Sequence, residues 1–370
     1  MIARAPRRIL FVGVSLRRGG AERVSTLLLQ KLASAGADDL HLALLDRDGP
    51  FLNELPAAVT VHTIGTRQPV AALFRLFRLL KQLEPDVIFS NGFPVNLLTT
   101  SLKPALRRPT RLVIREVNVL DALLRQGLSR PVLRRTARRA FPRADAIICQ
   151  SRFMQQDLLS GLQLDPGKLV TIFNPVDFDA IARRGAESSP FAAHGPGPHL
   201  LGLGQLARKK GFDRLIRALP DLLHQRPSAQ LWLVGDGPQR RPLQQLAARL
   251  GVDSRVHFPG QTENPFAWMR NTDLFVLASH HEGTPNVLLE AIACQAPVVV
   301  LDHPGGTREV LQRTGQEWRI VDDLNVWDPR WFAPPPAEAL ERAREFLDVS
   351  HVARQYLDVL VGAPAQREAA

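Results

Sequence analysis

The chain has 370 residues but only two cysteines, Cys149 and Cys294, each set in an apolar run. Buried free thiols are therefore expected rather than a disulfide. No apolar stretch reaches the roughly 18–20 residues that a membrane span needs, and the basic N-terminus is not followed by a signal-like apolar segment with a cleavage site. These absences point to a cytoplasmic protein, with the inner membrane face as the place for any lipid contact. The chain also lacks a Gly-x-Ser-x-Gly elbow and a Walker-type loop, which leaves hydrolase and P-loop readings without an anchor. His280, His281 and Glu282 are adjacent, and no His-x-x-x-His spacing accompanies them, so no metal site is expected. There is no short-period repeat.

Hydrophobic residues make up 45% of the chain, which marks it as globular, and its length suits two domains of about 150–200 residues. The net charge of +11 is unevenly spread. Residues 1–175 hold 26 Lys/Arg against 13 Asp/Glu, a net of +13, and the remainder holds 21 against 23, a net of −2. Between Lys103 and Arg143 there are 12 basic and 2 acidic residues. Such a face attracts anionic lipid, nucleic acid or an acidic substrate. Interleaved aromatics and a reading motif are missing, so nucleic acid is not expected as a partner.

Short buried-strand patterns alternate with amphipathic ones. RILFVGV around Ile9–Val14 runs through the glycine loop LRRGGAER into a helix with Val24, Leu27, Leu28 and Leu32 inward. LHLALLD, VTVHTIG, PDVIFSN, TRLVIRE and ADAIICQS read as further strands, apolar runs with polar ends as in a parallel sheet buried on both faces. From Val70 to Leu83 a helix is predicted with Phe74, Phe77 and Leu80 facing the core. The Gly/Pro/Ser-rich stretch 183–198 reads as an interdomain linker. A second series follows, HLLGLGQLARKKGFDRLIRAL, LWLVGDGP, RVHFPG, DLFVLAS and APVVVLD. Residues 315–336 carry three tryptophans and four prolines and read as ordered but irregular, ALERAREFLDVSHVARQYLDVLVG reads as two helices, and AQREAA as a frayed tail. The alternation predicts doubly wound α/β domains.

The most informative run is HHEGTPNVLLEAIACQAPVVVLD, His280–Asp302, read as loop, short helix and buried strand. Pro285 suits the first helical position with Thr284 as N-cap. The amides of Asn286, Val287 and Leu288 would then point outward and, with the helix dipole, seat a phosphate. Glu290, about 7–8 Å along the axis from Pro285, is placed to reach a sugar hydroxyl beside it. The Gly202–Gly204 pair invites a dinucleotide reading, but Ala207 stands where a third glycine belongs and no acidic residue ends the next strand.

GGAER, NPVD, GQLARKKGFDRLIRAL, LWLVGDGP, VHFPG and EGTPNVLLEAIACQAPVV follow one another in an order and spacing that resemble the retaining glycosyltransferases of the glycosyltransferase 4 family. The resemblance covers about residues 8–330. It implies a GT-B fold: two facing Rossmann-like domains with a cleft between them, an acceptor-binding domain over 1–178 and a donor-binding domain over 179–349. A final helix, 350–366, would pack back on the first. It implies transfer of a sugar from a nucleotide-sugar to a saccharide or lipid-linked acceptor, in cell-surface glycan or glycolipid synthesis, with no cofactor or metal. Carried onto this chain, Glu282 lies near the transferred sugar and Glu290 holds the ribose hydroxyls. Gly283, Thr284, Pro285, Asn286 and Val287 supply the helix-end contacts. Lys210 neutralises the departing diphosphate, with Arg208 near it, and Gly19 and Gly20 approach the phosphates. Gln205 stands where the family usually has arginine, and Gln295 where it has glycine. Many members carry a histidine on the acceptor side, whereas this chain has Glu116 and Asn118 there, so Asn118 is the acceptor-side candidate. A GT-B phosphorylase, a nucleotide-sugar epimerase or an inactive GT-B binding module are the alternatives.

Overall fold

The computed structural model describes residues 8–17, 19–37, 39–120, 130–192, 194–195 and 197–363. Their contacts divide the chain into unit 1, residues 1–175 with 349–370, and unit 2, residues 176–348. The AQREAA tail and the end of the predicted 350–366 helix lie outside the described residues.

Unit 1 is built on a seven-stranded parallel sheet. Its elements in chain order are β1 (Ile9–Gly13), α1 (Gly20–Ser34), β2 (Leu40–Leu44), β3 (Val59–Thr63), α2 (Pro69–Leu83), β4 (Val87–Asn91), α3 (Phe93–Leu102), β5 (Arg111–Arg115), α4 (Arg130–Ala140), β6 (Ala146–Cys149), α5 (Arg152–Leu162) and β7 (Leu169–Thr171). The strand order β3-β2-β1-β4-β5-β6-β7 reverses direction between β1 and β4. Alternate side chains of a strand face opposite sides, so Leu10 and Val12 enter one core while Ile9 and Phe11 enter the other. The first core is covered by α2, α3, α4 and α5, and the second by α1 and the last helix of the chain.

Unit 2 has a six-stranded parallel sheet, β10-β9-β8-β11-β12-β13, which reverses between β8 and β11. Its elements are α6 (Phe178–Gly185), β8 (His199–Leu203), α7 (Phe212–Gln225), β9 (Gln230–Val234), α8 (Arg240–Arg249), β10 (Val256–Gly260), α9 (Pro265–Asn271), β11 (Leu274–Leu277), α10 (Asn286–Ala293), β12 (Val298–Leu301), α11 (Thr307–Arg313), β13 (Ile320–Val321) and α12 (Ala337–Leu347). The chain then re-enters unit 1 as α13 (Val349–Val361). There Tyr356 packs edge-on against Phe89 with centroids 5.8 Å apart, and Arg111 Nε donates to the Val359 carbonyl at 2.9 Å. Two Rossmann-like units of this kind make the GT-B fold.

Three expectations are corrected by the packing. The boundary between units falls at Pro175, and the stretch 183–198 lies inside unit 2, where Phe191 stacks on His199 with centroids 4.7 Å apart. Glycine and proline there mark a loop over the sheet, not a linker. On α2 the core face is Ala72, Leu76 and Leu80, while Phe74 is 63% exposed. Phe74, two residues from both Ala72 and Leu76, lies off the i, i+4, i+8 row that those three residues form. Of the basic run from Lys103, Arg115 is fully buried and Arg111 bonds the chain's last helix, so those two leave the face. Residues 121–129 of that run lie outside the described ones.

The tryptophan-rich segment is tied down by one cation. Arg319, fully buried, donates to the carbonyls of Val298 (3.0 Å), Trp331 (3.1 Å) and Ala333 (2.8 Å). Burial lowers its pKa to about 10. Trp327 Nε1 donates to the Ala218 carbonyl at 3.1 Å, so both Trp327 and Trp331 enter the unit 2 core.

Candidate functional site

In unit 2 the loops leaving β8 and β11 meet where the strand order reverses. Gly211 makes the approach possible. Its φ of +63° is in the left-handed region, and a Cβ on it would lie 2.1 Å from the Ala278 carbonyl oxygen. The His280 amide donates to the Lys209 carbonyl at 2.8 Å. On the other side, the Glu282 amide donates to the Pro304 carbonyl at 3.2 Å and the Gly306 amide to the Gly283 carbonyl at 2.6 Å. A Cβ on Gly305 would lie 1.8 Å from the Glu282 carbonyl oxygen. The segment from Ser279 to Gly283 is thereby held between the loops after β8 and β12.

That clamp brings together the two residues expected to be catalytic. Lys210 Nζ lies 2.6 Å from Glu282 Oε1, which also accepts from Ser279 Oγ at 2.9 Å. The two side chains are 14% and 12% exposed. Burial alone would raise the Glu282 pKa, but the Lys210 charge and hydrogen bond, with Lys209 and Ser279, hold it below the usual carboxylate value. An ammonium has three donors, so Lys210 can hold Glu282 and a phosphate oxygen together. Gln205 and Arg208, on the same loop, are exposed.

The helix end is arranged differently from the expectation. Pro285, with φ −74° and ψ 111°, is the N-cap of α10, and Asn286 is the first helical residue. Thr284 therefore precedes the cap, and it is buried. The Leu288 amide donates back to the Pro285 carbonyl at 3.0 Å, so it does not join the outward-facing set. Gly283 is buried, and Asn286, Val287 and Glu290 are half-buried. Gln295 takes the usual glycine's place at φ +57° and so carries the left-handed strain itself. Burial raises the Cys294 thiol to about 12 and pushes Cys149 up as well, which makes both inert structural thiols.

In unit 1, Gly19 is the N-cap of α1 and Gly20 its first residue, both exposed. Asn118, half-buried, follows β5. Beneath these lies a polar network that sequence reasoning missed. Arg115 donates to Asn91 Oδ1 (2.8 Å) and Asn174 Oδ1 (2.6 Å). Asn174 Nδ2 donates to Gln150 Oε1 (3.0 Å), and Gln150 Nε2 to the Glu116 carbonyl (3.0 Å). Asn96 Nδ2 donates to Glu116 Oε1. Glu116 is fully buried, and burial raises its pKa to about 8 against the pull of Asn96, the Val117 amide and Arg115. Burial thus favours its protonated form. The available signal was the polar residue that closes each apolar strand: Asn91, Glu116, Gln150 and Asn174. Among the described residues no three His, Cys, Asp or Glu side chains gather in a way that would hold a metal ion.

A family model described as Glycosyltransferase Family 4 matches residues 18–180, and one described as Glycosyl transferases group 1 matches residues 197–328. The N-acetylgalactosamine-N,N'-diacetylbacillosaminyl-diphospho-undecaprenol 4-alpha-N-acetylgalactosaminyltransferase of Campylobacter jejuni is 27% identical over 310 residues, 80% of this chain and 81% of that protein. The GDP-mannose-dependent alpha-(1-6)-phosphatidylinositol monomannoside mannosyltransferase of Mycolicibacterium smegmatis is 33% identical over 212 residues, 53% of this chain and 54% of that one. Among solved structures, Anabaena HepE in complex with UDP-glucose superposes with a TM-score of 0.75 at 22% identity, covering 96% of this chain and 100% of that one. The sucrose-phosphate synthase of Thermosynechococcus elongatus gives a TM-score of 0.75 at 18% identity, covering 96% and 99%.

Proposed function

The chain belongs to the group 1 and family 4 glycosyltransferases, and on that premise we propose that it moves a sugar from a nucleotide-sugar bound by unit 2 to a saccharide or lipid-linked acceptor bound by unit 1. The observation that carries the donor assignment is the Lys210–Glu282 pair at the strand-order reversal of unit 2, the place where open α/β sheets take ligands. Transfer breaks the bond from the anomeric carbon to the diphosphate and makes one to an acceptor hydroxyl oxygen, whose proton passes to the departing diphosphate, and negative charge develops on that diphosphate as its bond breaks. A preformed ammonium at Lys210 and the amides at the start of α10 oppose that charge as it develops. Glu282, kept ionised by Lys210, accepts hydrogen bonds from the transferred sugar's hydroxyls, and Glu290 takes the ribose. Transfer with retention is part of this proposal and rests on the match to the family 4 model. No metal has a part in this scheme, and full turnover in EDTA is the result expected of it.

The acceptor class follows the same relatives, one named for a diphospho-undecaprenol acceptor and one for a phosphatidylinositol mannoside. No described helix is long and apolar enough to cross a membrane. Reaching such acceptors at the cytoplasmic membrane face would fall to the basic surface of unit 1, where Arg135 and Arg139 are exposed one turn apart on α4 with Val132, 67% exposed, before them. The test is a screen of uridine, guanosine and adenosine diphosphate sugars by thermal shift, since a ligand bound by the native state raises its melting temperature. A chain unmoved by every donor would defeat the reading.

A further inference from the structure

His303 is a buried histidine that the reaction described above does not use. It lies in the turn between β12 and α11, residues 302–306, and this turn grips the segment that bears Glu282. The Pro304 carbonyl accepts from the Glu282 amide at 3.2 Å, and the Gly306 amide donates to the Gly283 carbonyl at 2.6 Å. Gly305 is so close that a Cβ on it would lie 1.8 Å from the Glu282 carbonyl oxygen. The shape of the turn therefore sets where the Glu282 backbone sits.

Two side-chain bonds tie the ends of this turn together. On the outside Arg308 Nη2 donates to Asp302 Oδ2 at 2.8 Å, but the two side chains are 47% and 41% exposed, and an ion pair so open to water holds little. On the inside His303 Nδ1 lies 2.8 Å from the Leu301 carbonyl oxygen, and its Nε2 lies 2.9 Å from the hydroxyl of buried Thr307. A carbonyl only accepts, so Nδ1 carries the ring proton, and Nε2 of the neutral ring accepts from the Thr307 hydroxyl. One imidazole thus links the last residue of β12 to the first of α11. Burial lowers the His303 pKa, with Arg214 acting the same way and the Leu301 carbonyl, Glu282 and Asp302 opposing, and the balance favours the neutral ring.

We propose that His303, through Thr307, is a positioning residue for Glu282: the imidazole bridge sets the turn that fixes the backbone of Glu282 and Gly283, and hence where the carboxylate meets the transferred sugar. Lys210 and Ser279 hold Glu282 by Oε1, whereas the turn holds its main chain. Side chain and backbone are located by separate contacts, and loss of the inner bridge frees the backbone while leaving the Lys210 bond in place. The inference rests on the donor reading above, in which Glu282 touches the sugar.

The test measures kcat for release of nucleoside diphosphate from a nucleotide-sugar, well below every melting temperature. Wild type is compared with His303→Asn, Thr307→Val and Thr307→Ser, each alone and combined with Glu282→Gln. Asparagine keeps a donor for the Leu301 carbonyl and loses the Thr307 bond. Valine cuts the same bond from the other end with the imidazole intact, and serine keeps the hydroxyl. His303→Asn and Thr307→Val should each lower kcat about ten- to a hundred-fold, as for a reacting group misplaced by about 1 Å, while Thr307→Ser stays near wild type. In the Glu282→Gln background the first two should cost about two-fold at most, because the group they position is already gone. Losses that multiply that of Glu282→Gln overturn the inference. So does a lower melting temperature with kcat unchanged, the result of a purely structural bridge. Should His303→Asn fail to fold, the valine and serine variants at Thr307 decide between these outcomes. A wild type that turns over no nucleotide-sugar, or a Glu282→Gln variant as fast as wild type, overturns the donor reading and the inference with it.

Discussion

Replacing Lys210 by alanine removes the cation that faces Glu282 at 2.6 Å and leaves that carboxylate, 12% exposed, with Ser279 Oγ at 2.9 Å. Breaking a fully buried pair costs about 3–5 kcal/mol. The residual exposure and the retained serine bond reduce this to about 1–3 kcal/mol of stability. For a unit of this size that is a fall in melting temperature of about 2–4 °C per kcal/mol. Loss of the ammonium's hydrogen bond to a diphosphate costs a further 1.5–3 kcal/mol of binding, or about ten- to a hundred-fold in Kd. The pH dependence has a definite sign. Glu282 is depressed below 4.5 in the folded state, so its contribution is full above that value and is lost as pH falls through the lower folded pKa. The stability gap between wild type and Lys210→Ala should therefore narrow below about pH 4.5. Calorimetric titration with nucleoside diphosphate and thermal melting from about pH 2.5 to about pH 8 read both effects. A variant with unchanged affinity, and a stability gap independent of pH, would refute the reasoning.

Gly211→Ala should be costlier than its size suggests, because the new Cβ meets the Ala278 carbonyl oxygen in a backbone conformation that disfavours it. More than about 1 kcal/mol of stability is expected to go, together with nucleoside diphosphate affinity, read by melting and titration. Glu290→Ala should weaken nucleoside diphosphate binding by about 1.5–3 kcal/mol, and an unchanged Kd would exclude the ribose role. Arg135→Gln with Arg139→Gln should lower partition onto phosphatidylserine vesicles by about thirty-fold at low salt, at about 1 kcal/mol per arginine. Sedimentation that ignores both charges and salt would make this face merely solvated.

The buried strands were legible because parallel strands covered on both sides read as short apolar runs, and β1 to β6 fall within the runs RILFVGV to ADAIICQS. The GT-B fold followed from an ordered set of motifs. What the sequence could not give was set by tertiary contact. Phe74 and Leu76 are alike as hydrophobes, and only the direction of α2 against the sheet exposes the first and buries the second. Pro285 fits an N-cap as readily as a first helical residue, and its extended ψ of 111° makes it the former. Arg115 lies in a run of basic residues and looked like part of a charged face. Its burial depends on amides from β4 and from the segment after β7, 24 and 59 positions away.

In the proposed reaction the Lys210–Glu282 pair handles the sugar diphosphate. Release of nucleoside diphosphate from a panel of nucleotide-sugars, followed for wild type and Glu282→Gln at matched concentration, tests it most directly. Turnover of at least one donor by wild type is expected, with a loss of about a hundred-fold or more in kcat in the variant, as for removal of one preorganised charged contact. Equal rates in the two proteins would contradict it.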